Sequence, residues 1–231
     1  MTTHADTDTC FNDPTRRGFL RIGAAIIGAS TTGGLLLPIL GHAQVGNIHD
    51  LRGDVRVNGT RIARNDVIRP GDTIVTMNDG TLVFSIGQDA FLVRQRSEMR
   101  MEPLGANGPS ASLVGALRLV TGAIGAVFGK SNNVRRINSP TATAGIRGTG
   151  VYLETRGENT YFCTCYGLVD LSANADEKDK LTVEGRRHVP RWIGREAKDG
   201  TRFSEAPFET HTDAEMDMLE KCVGRPSGFV R

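Results

Sequence analysis

Little in this chain is aromatic: Phe, Trp and Tyr make up 6% of its 231 residues, with one tryptophan, Trp192. That excludes a core of stacked rings and leaves the packing to aliphatic side chains. Sustained helical periodicity is missing before residue 212, which excludes a helix bundle. Neither sign of charge predominates, since 28 Lys and Arg are set against 26 Asp and Glu. Interspersed signs give no concentrated basic face, so nucleic acid is not an expected partner. No nucleophile elbow occurs, and Gly145-Ile146-Arg147-Gly148-Thr149-Gly150 lacks the lysine and the strand-to-helix setting of a phosphate loop. Asp72, Asp79, Asp89 and Glu98 fall at turns or strand edges, with nothing pairing them for glycoside hydrolysis. These absences weigh against an enzyme.

Glycine is plentiful, at 28 residues. Short apolar-alternating runs are broken by Asn58-Gly59, Asp79-Gly80, Asn107-Gly108, Gly157-Glu158-Asn159, Glu184-Gly185 and Asp199-Gly200, the punctuation of hairpins and meanders. Asp72–Met77 and Thr81–Ile86 read as two strands of one hairpin around Asn78-Asp79-Gly80. Residues 103–112 read as a surface loop and 173–180 as a charged loop tip. Arg94, Arg96 and Arg100 read as one basic strand face, and Trp192 as a core residue in preference to a sugar-stacking one. The one expected helix begins at Thr212-Asp213-Ala214-Glu215, a capping box, carries Met216, Leu219 and Val223 on one face, and stops at Gly224 and Pro226.

Arg16-Arg17, followed by an uncharged stretch diluted with Gly and Thr, looks like a twin-arginine signal peptide covering 1–43, with cleavage after Ala43 behind Gly41-His42. The expected location is periplasmic or secreted, after passage through the twin-arginine translocase. The alternative is an uncleaved signal acting as a membrane anchor. No later segment is apolar enough to span.

Removing that leader takes Cys10 with it and leaves Cys163, Cys165 and Cys222. Residues two apart on a strand project from one face with Cα atoms roughly 6.5–7 Å apart, at the upper edge of disulfide geometry but comfortable for two thiolates on one ion. His188 and His211 are the histidines placed to join Cys163 and Cys165 as metal ligands. A disulfide from one of the pair to Cys222, or free thiols, are the other readings.

The middle of the chain resembles the FecR domain, the periplasmic module of iron-dicitrate sensor regulators. The resemblance covers about residues 46–172. It rests on Gly71-Asp72-Thr73-Ile74-Val75-Thr76, Asp79-Gly80-Thr81-Leu82, Leu117-Arg118-Leu119-Val120-Thr121-Gly122-Ala123, Ser139-Pro140-Thr141-Ala142-Thr143-Ala144-Gly145-Ile146-Arg147-Gly148-Thr149 and Tyr166-Gly167-Leu168-Val169-Asp170-Leu171, in that order. The long Pro-Thr-Ala to Gly-Ile-Arg-Gly-Thr string suits two strands meeting at a corner, with Arg147 either locking a carboxylate there or contacting a ligand.

The expectation is therefore a mostly β chain: the leader (1–43), a FecR-like domain (44–172) built as an elongated β-roll or solenoid-like stack, and an extension (173–231) ending in an amphipathic helix. A jelly-roll sandwich is the alternative. The resemblance implies a non-enzymatic binding or sensing module that docks a protein partner or envelope ligand. The contrary reading is a metal- or cofactor-binding redox protein using Cys163 and Cys165.

Overall fold

The computed structural model describes residues 46–108 and 113–229; the twin arginines and the junction after Ala43 lie outside them. The described chain is mostly β with one helix. In order it forms β1 (Ile48–Arg52), β2 (Val55–Val57), β3 (Thr60–Arg61), β4 (Thr73–Thr76), β5 (Thr81–Ile86), β6 (Asp89–Val93), β7 (Glu98–Pro103) and β8 (Val114–Thr121). There follow β9 (Ala123–Val127), β10 (Arg135–Asn138), β11 (Ala142–Arg156), β12 (Asn159–Ala173), β13 (Asp176–Gly185), β14 (Val189–Lys198), β15 (Thr201–Glu205) and α1 (Asp213–Cys222). No helix among the described residues is long and apolar enough to cross a membrane.

All strands share one sheet, in the order β1-β5-β6-β9-β11-β10-β8-β7-β4-β2-β3, with β12 branching from β11 to carry β13 on one half and β14 with β15 on the other. Among the described pairs only β8 and β10 run parallel. Period-2 alternation sorts the side chains into two layers. Leu82, Phe84, Phe91, Val93, Ile124, Val151, Leu153 and Phe162 enter a large inner core. Their neighbours Val83, Leu92, Tyr152, Tyr161, Cys163 and Cys165 point to the opposite face, where Met216, Met218 and Leu219 of α1 cover them.

Asp72–Met77 and Thr81–Ile86 do not form the expected hairpin. β4 pairs with β2 and β7, and β5 pairs with β1 and β6. Asn78-Asp79-Gly80 turns a corner instead, matched by Gly53-Asp54: the Met77 amide donates to the Asp54 carbonyl at 2.9 Å, and the Asp54 amide to Asp79 Oδ1 at 3.2 Å. Gly53 (φ +64°) allows the approach, because a Cβ there would lie 2.3 Å from the Asp79 carbonyl oxygen. The paired strands β1 with β5 and β2 with β4 thus fall at opposite ends of the strand order, and the sheet curls.

The glycine-rich string is likewise not a corner between two strands but a bulge within the 15-residue β11. The register shifts between Arg147 and Gly150, with Gly148 at φ +62°. Before the bulge β11 pairs with β10, and after it with β9, so the irregularity lets one strand serve two neighbours. Gly150 must be glycine, since a Cβ would sit 2.4 Å from the Tyr166 ring.

The charged stretch 173–180 is mostly the start of β13 behind a tight turn, and Glu184-Gly185 closes β13 without turning, its residues still paired with β12. Arg94, Arg96 and Arg100 share no strand face: Arg94 follows β6, Arg96 is a turn residue at φ +55°, and Arg100 is on β7.

Candidate metal centre

On β12, alternation sends Cys163 and Cys165 to the outer face, both fully buried. Both are free thiols, so neither is bridged to Cys222 as one reading expected. β12 exchanges partners just beyond them: Cys163 and Thr164 pair with Pro190 and Val189 of β14, whereas Gly167 pairs with Gly185 of β13. His188 lies at this exchange in a left-handed conformation (φ +43°), its amide donating to the Cys165 carbonyl at 2.9 Å. The turn places the ring over the cysteines, and its side chain is 6% exposed.

His211 arrives from the other direction. The segment before α1 crosses the outer face, held by the Tyr161 hydroxyl, which donates to the Pro207 carbonyl at 3.1 Å, and by Arg156 with Glu209 at 2.5 Å. Thr210, at φ +69°, turns His211 inward; a left-handed β-branched residue costs on the order of 1–3 kcal/mol and persists only where its surroundings enforce it. The His211 ring stacks on Tyr152 with centroids 4.4 Å apart. The expected capping box at Thr212 and Glu215 forms, and it starts α1 one residue later, with Asp213 in the first turn.

The four side chains named from the sequence meet. One ligand atom from each of Cys163, Cys165, His188 and His211 lies within 4.8 Å of all the others. Cys163 Sγ is 3.8 Å from His188 Nδ1, Cys165 Sγ is 3.4 Å from His211 Nε2, and the two ring nitrogens are 3.2 Å apart. A tetrahedral zinc ion separates its ligand atoms by about 3.6 Å (sulfur to nitrogen) and about 3.3 Å (nitrogen to nitrogen), so these three separations match it to within tenths of an ångström.

The outer nitrogens explain why this cluster calls for a cation. His188 Nε2 lies 2.5 Å from Asp213 Oδ1, and His211 Nδ1 lies 3.0 Å from the Glu209 carbonyl. Both partners only accept, so each outer nitrogen is the N–H, and a ring that carries no second proton turns its inner nitrogen's lone pair toward the cluster. The two inner nitrogens and the two sulfurs thus converge as four ligand atoms around one point. The hydrogen bond from Cys165 leads in lowering the Cys163 thiol to about 4, with His188 and His211 adding to it, while burial pushes the Cys165 thiol up. Burial opposes charge on His188, but Cys163 and Asp213 outweigh it and raise its pKa. The apo cluster thus holds one thiolate readily, and a metal would draw the second proton off.

Cys163, His188 and Asp213 have the connectivity of a nucleophilic triad. Cys163 is sealed beneath the C-terminal segment, however, and a second cysteine and histidine complete a closed set of four, the pattern of a holding site. Asp213 and the Glu209 carbonyl were not legible from the sequence, where Asp213 reads as an ordinary first-turn acid.

Arg147 stands beside the β11 bulge and pairs with a carboxylate as one reading expected, lying 3.5 Å from Asp170 across the β11–β12 ladder, but its side chain is 62% exposed, so the pair is a surface one. Trp192 packs edge-on against Tyr161 at 5.3 Å under the Arg156 guanidinium, and its other side lines a groove of about 560 Å³ with Arg202 and Phe203.

No family model and no curated protein matches the chain. Among solved structures it is similar to two crystal structures, at 1.65 and 2.50 Å resolution, described as an anti-sigma factor from Parabacteroides distasonis ATCC 8503. Each aligns with a TM-score of 0.45 and 7% identity, over 58% of this chain and 58% of that one.

Proposed function

We propose that the chain is an exported, non-enzymatic binding or sensing module with a FecR-like scaffold and a resident zinc-class ion bound by Cys163, Cys165, His188 and His211. The observation that carries the metal is the convergence of four ligand atoms within 4.8 Å of one another, the two inner ring nitrogens 3.2 Å apart and each ring backed by an outer acceptor. Two thiolates and two imidazoles in a tetrahedral cluster suit zinc, and four protein ligands leave no open position for substrate. The module then holds its ion and does not turn substrate over with it.

The docking part of the reading rests on the FecR-type strings, which supply β4, β8, β11 and β12, and on the resemblance's implication of a protein or envelope partner. Export rests on Arg16-Arg17, and a folded-protein route agrees with a site whose ligands come together only in the finished fold. Replacing both arginines with lysine leaves the full-length chain in the cytoplasm; normal export of that variant would remove the compartment from the reading.

Elemental analysis of the full chain, expressed with its leader and purified without chelators, tests the metal. The expected result is about one zinc per chain, lost in the Cys163→Ser/Cys165→Ser variant. Absence of any metal, with failure to take up added zinc, would overturn the metal reading. A visible absorption band that disappears on Cys163→Ser would instead identify a redox metal.

A further inference from the structure

Three of the four clustered side chains belong to the sheet, and one does not. Cys163 and Cys165 are on β12 and His188 enters β14, whereas His211 belongs to the segment that crosses the outer face and leads into α1. The helix carries Met216, Met218 and Leu219 onto Val83, Ala90, Leu92 and Tyr152, and so covers an apolar face that would otherwise meet water. Resting on the metal reading above, we infer that the ion is the clasp of this cover: its occupancy decides whether residues 206–222 stay docked on β5, β6 and β9.

The geometry gives the clasp both a catch and a load. With an ion present, His211 and the sheet share a bond that links the segment to β12 directly. Asp213, in the first turn of α1, receives the outer N–H of His188, so the same ion steadies the helix start through a second path. Without an ion, His211 keeps only its contact with Cys165 and its stack on Tyr152, and less holds the left-handed Thr210 that aims the ring inward. A ten-residue helix is too short to persist alone, so an undocked α1 also unravels. Contacts independent of the ion remain, among them Arg94 with Glu215 at 2.7 Å and Tyr166 with Glu220. Release is therefore an equilibrium shifted by occupancy and not a rupture.

Ligand binding that favours the docked form changes exchange of the helix amides and leaves the inner strands alone, which separates a clasp from a global staple. The test is hydrogen exchange of the full exported chain, followed by mass spectrometry, with one zinc bound and after stripping by chelator. Peptides within 206–222 should exchange at least tenfold faster in the stripped protein, while those of β8 and β11 keep their rates. Unchanged helix exchange on stripping, with zinc bound stoichiometrically beforehand, would overturn the clasp and leave the metal site standing. Equal acceleration in helix and inner strands would also overturn it. Failure to bind zinc at all would remove both. His211→Ala supplies the second arm: it keeps Cys163, Cys165 and His188 for the ion, and its helix should exchange fast with zinc present. Full helix protection in zinc-loaded His211→Ala would show that the link through His211 is not what docks the segment.

Discussion

Strand β11 sends Val151 and Leu153 inward and Tyr152 outward, and the two layers that these residues enter differ in kind. The apolar cluster of the inner layer consists of Val, Ile, Leu, Phe, Met and Ala, with no Tyr or Cys. The outer layer holds all three tyrosines of the chain, Cys163 and Cys165, and packs against Trp192 and His211. Aliphatic side chains are interchangeable within limits of volume, so the inner layer is specified by pattern and size. Each polar atom in the outer layer needs its own partner: the Tyr161 hydroxyl has the Pro207 carbonyl, Tyr166 has Glu220, and each histidine has an acceptor behind it. The inner face is packed mainly by shape and volume, and the outer face is organised more around particular atoms.

Truncating the inner layer should give the largest effect. Phe84→Ala removes a fully buried ring that packs on Phe91 at 5.0 Å and should cost about 3–5 kcal/mol of global stability, read from the midpoint of denaturant unfolding. Its metal content should not change. Loss of metal in Phe84→Ala under conditions where the protein remains folded would break the separation between the layers.

Asp89 sharpens the boundary, since it begins β6 and is buried against Arg135 at 2.6 Å and the Gly129 amide at 2.9 Å. Burial raises its pKa to about 6, against the pull of Arg135. The folded protein therefore holds this proton more tightly than the unfolded chain does. The stabilising contribution is full below the ordinary carboxylate range of about 4 and is lost as pH rises through about 6. Between pH 4 and 7 the wild type should lose roughly 2–3 kcal/mol relative to Asp89→Asn, measured as the difference between their unfolding curves. Parallel pH profiles would show that Asp89 is ionised throughout.

Arg147 belongs to neither layer and should matter least. Arg147→Ala should change stability by no more than about 1 kcal/mol, the scale of an exposed ion pair, and should leave zinc binding unaltered. A larger loss of stability would restore the lock that the glycine-rich string suggested.

Both the mostly β character and the terminal helix were legible, the first from short alternating runs and the second from a complete capping box. The four clustered side chains were legible too, since period 2 alone puts Cys163 and Cys165 on one face and only a few histidines were available to join them. What escaped was pairing over distance. Asn78-Asp79-Gly80 looks the same whether it closes a hairpin or turns a corner, and the deciding residues, Gly53 and Asp54, lie about 25 positions earlier. Similarly, no local feature of Asp213 reveals that it fixes the tautomer of His188.

The order in which the ladder is made has a consequence for synthesis. Every strand from β1 to β11 precedes Cys163 in the chain, and His211 is the last of the four side chains to leave the ribosome. Folding that proceeds from the amino terminus can complete much of the aliphatic layer before any ion has a place to bind. On the metal reading proposed above, capture is then a late event, and a nascent chain halted before residue 211 would be largely folded yet unable to complete the four-ligand set.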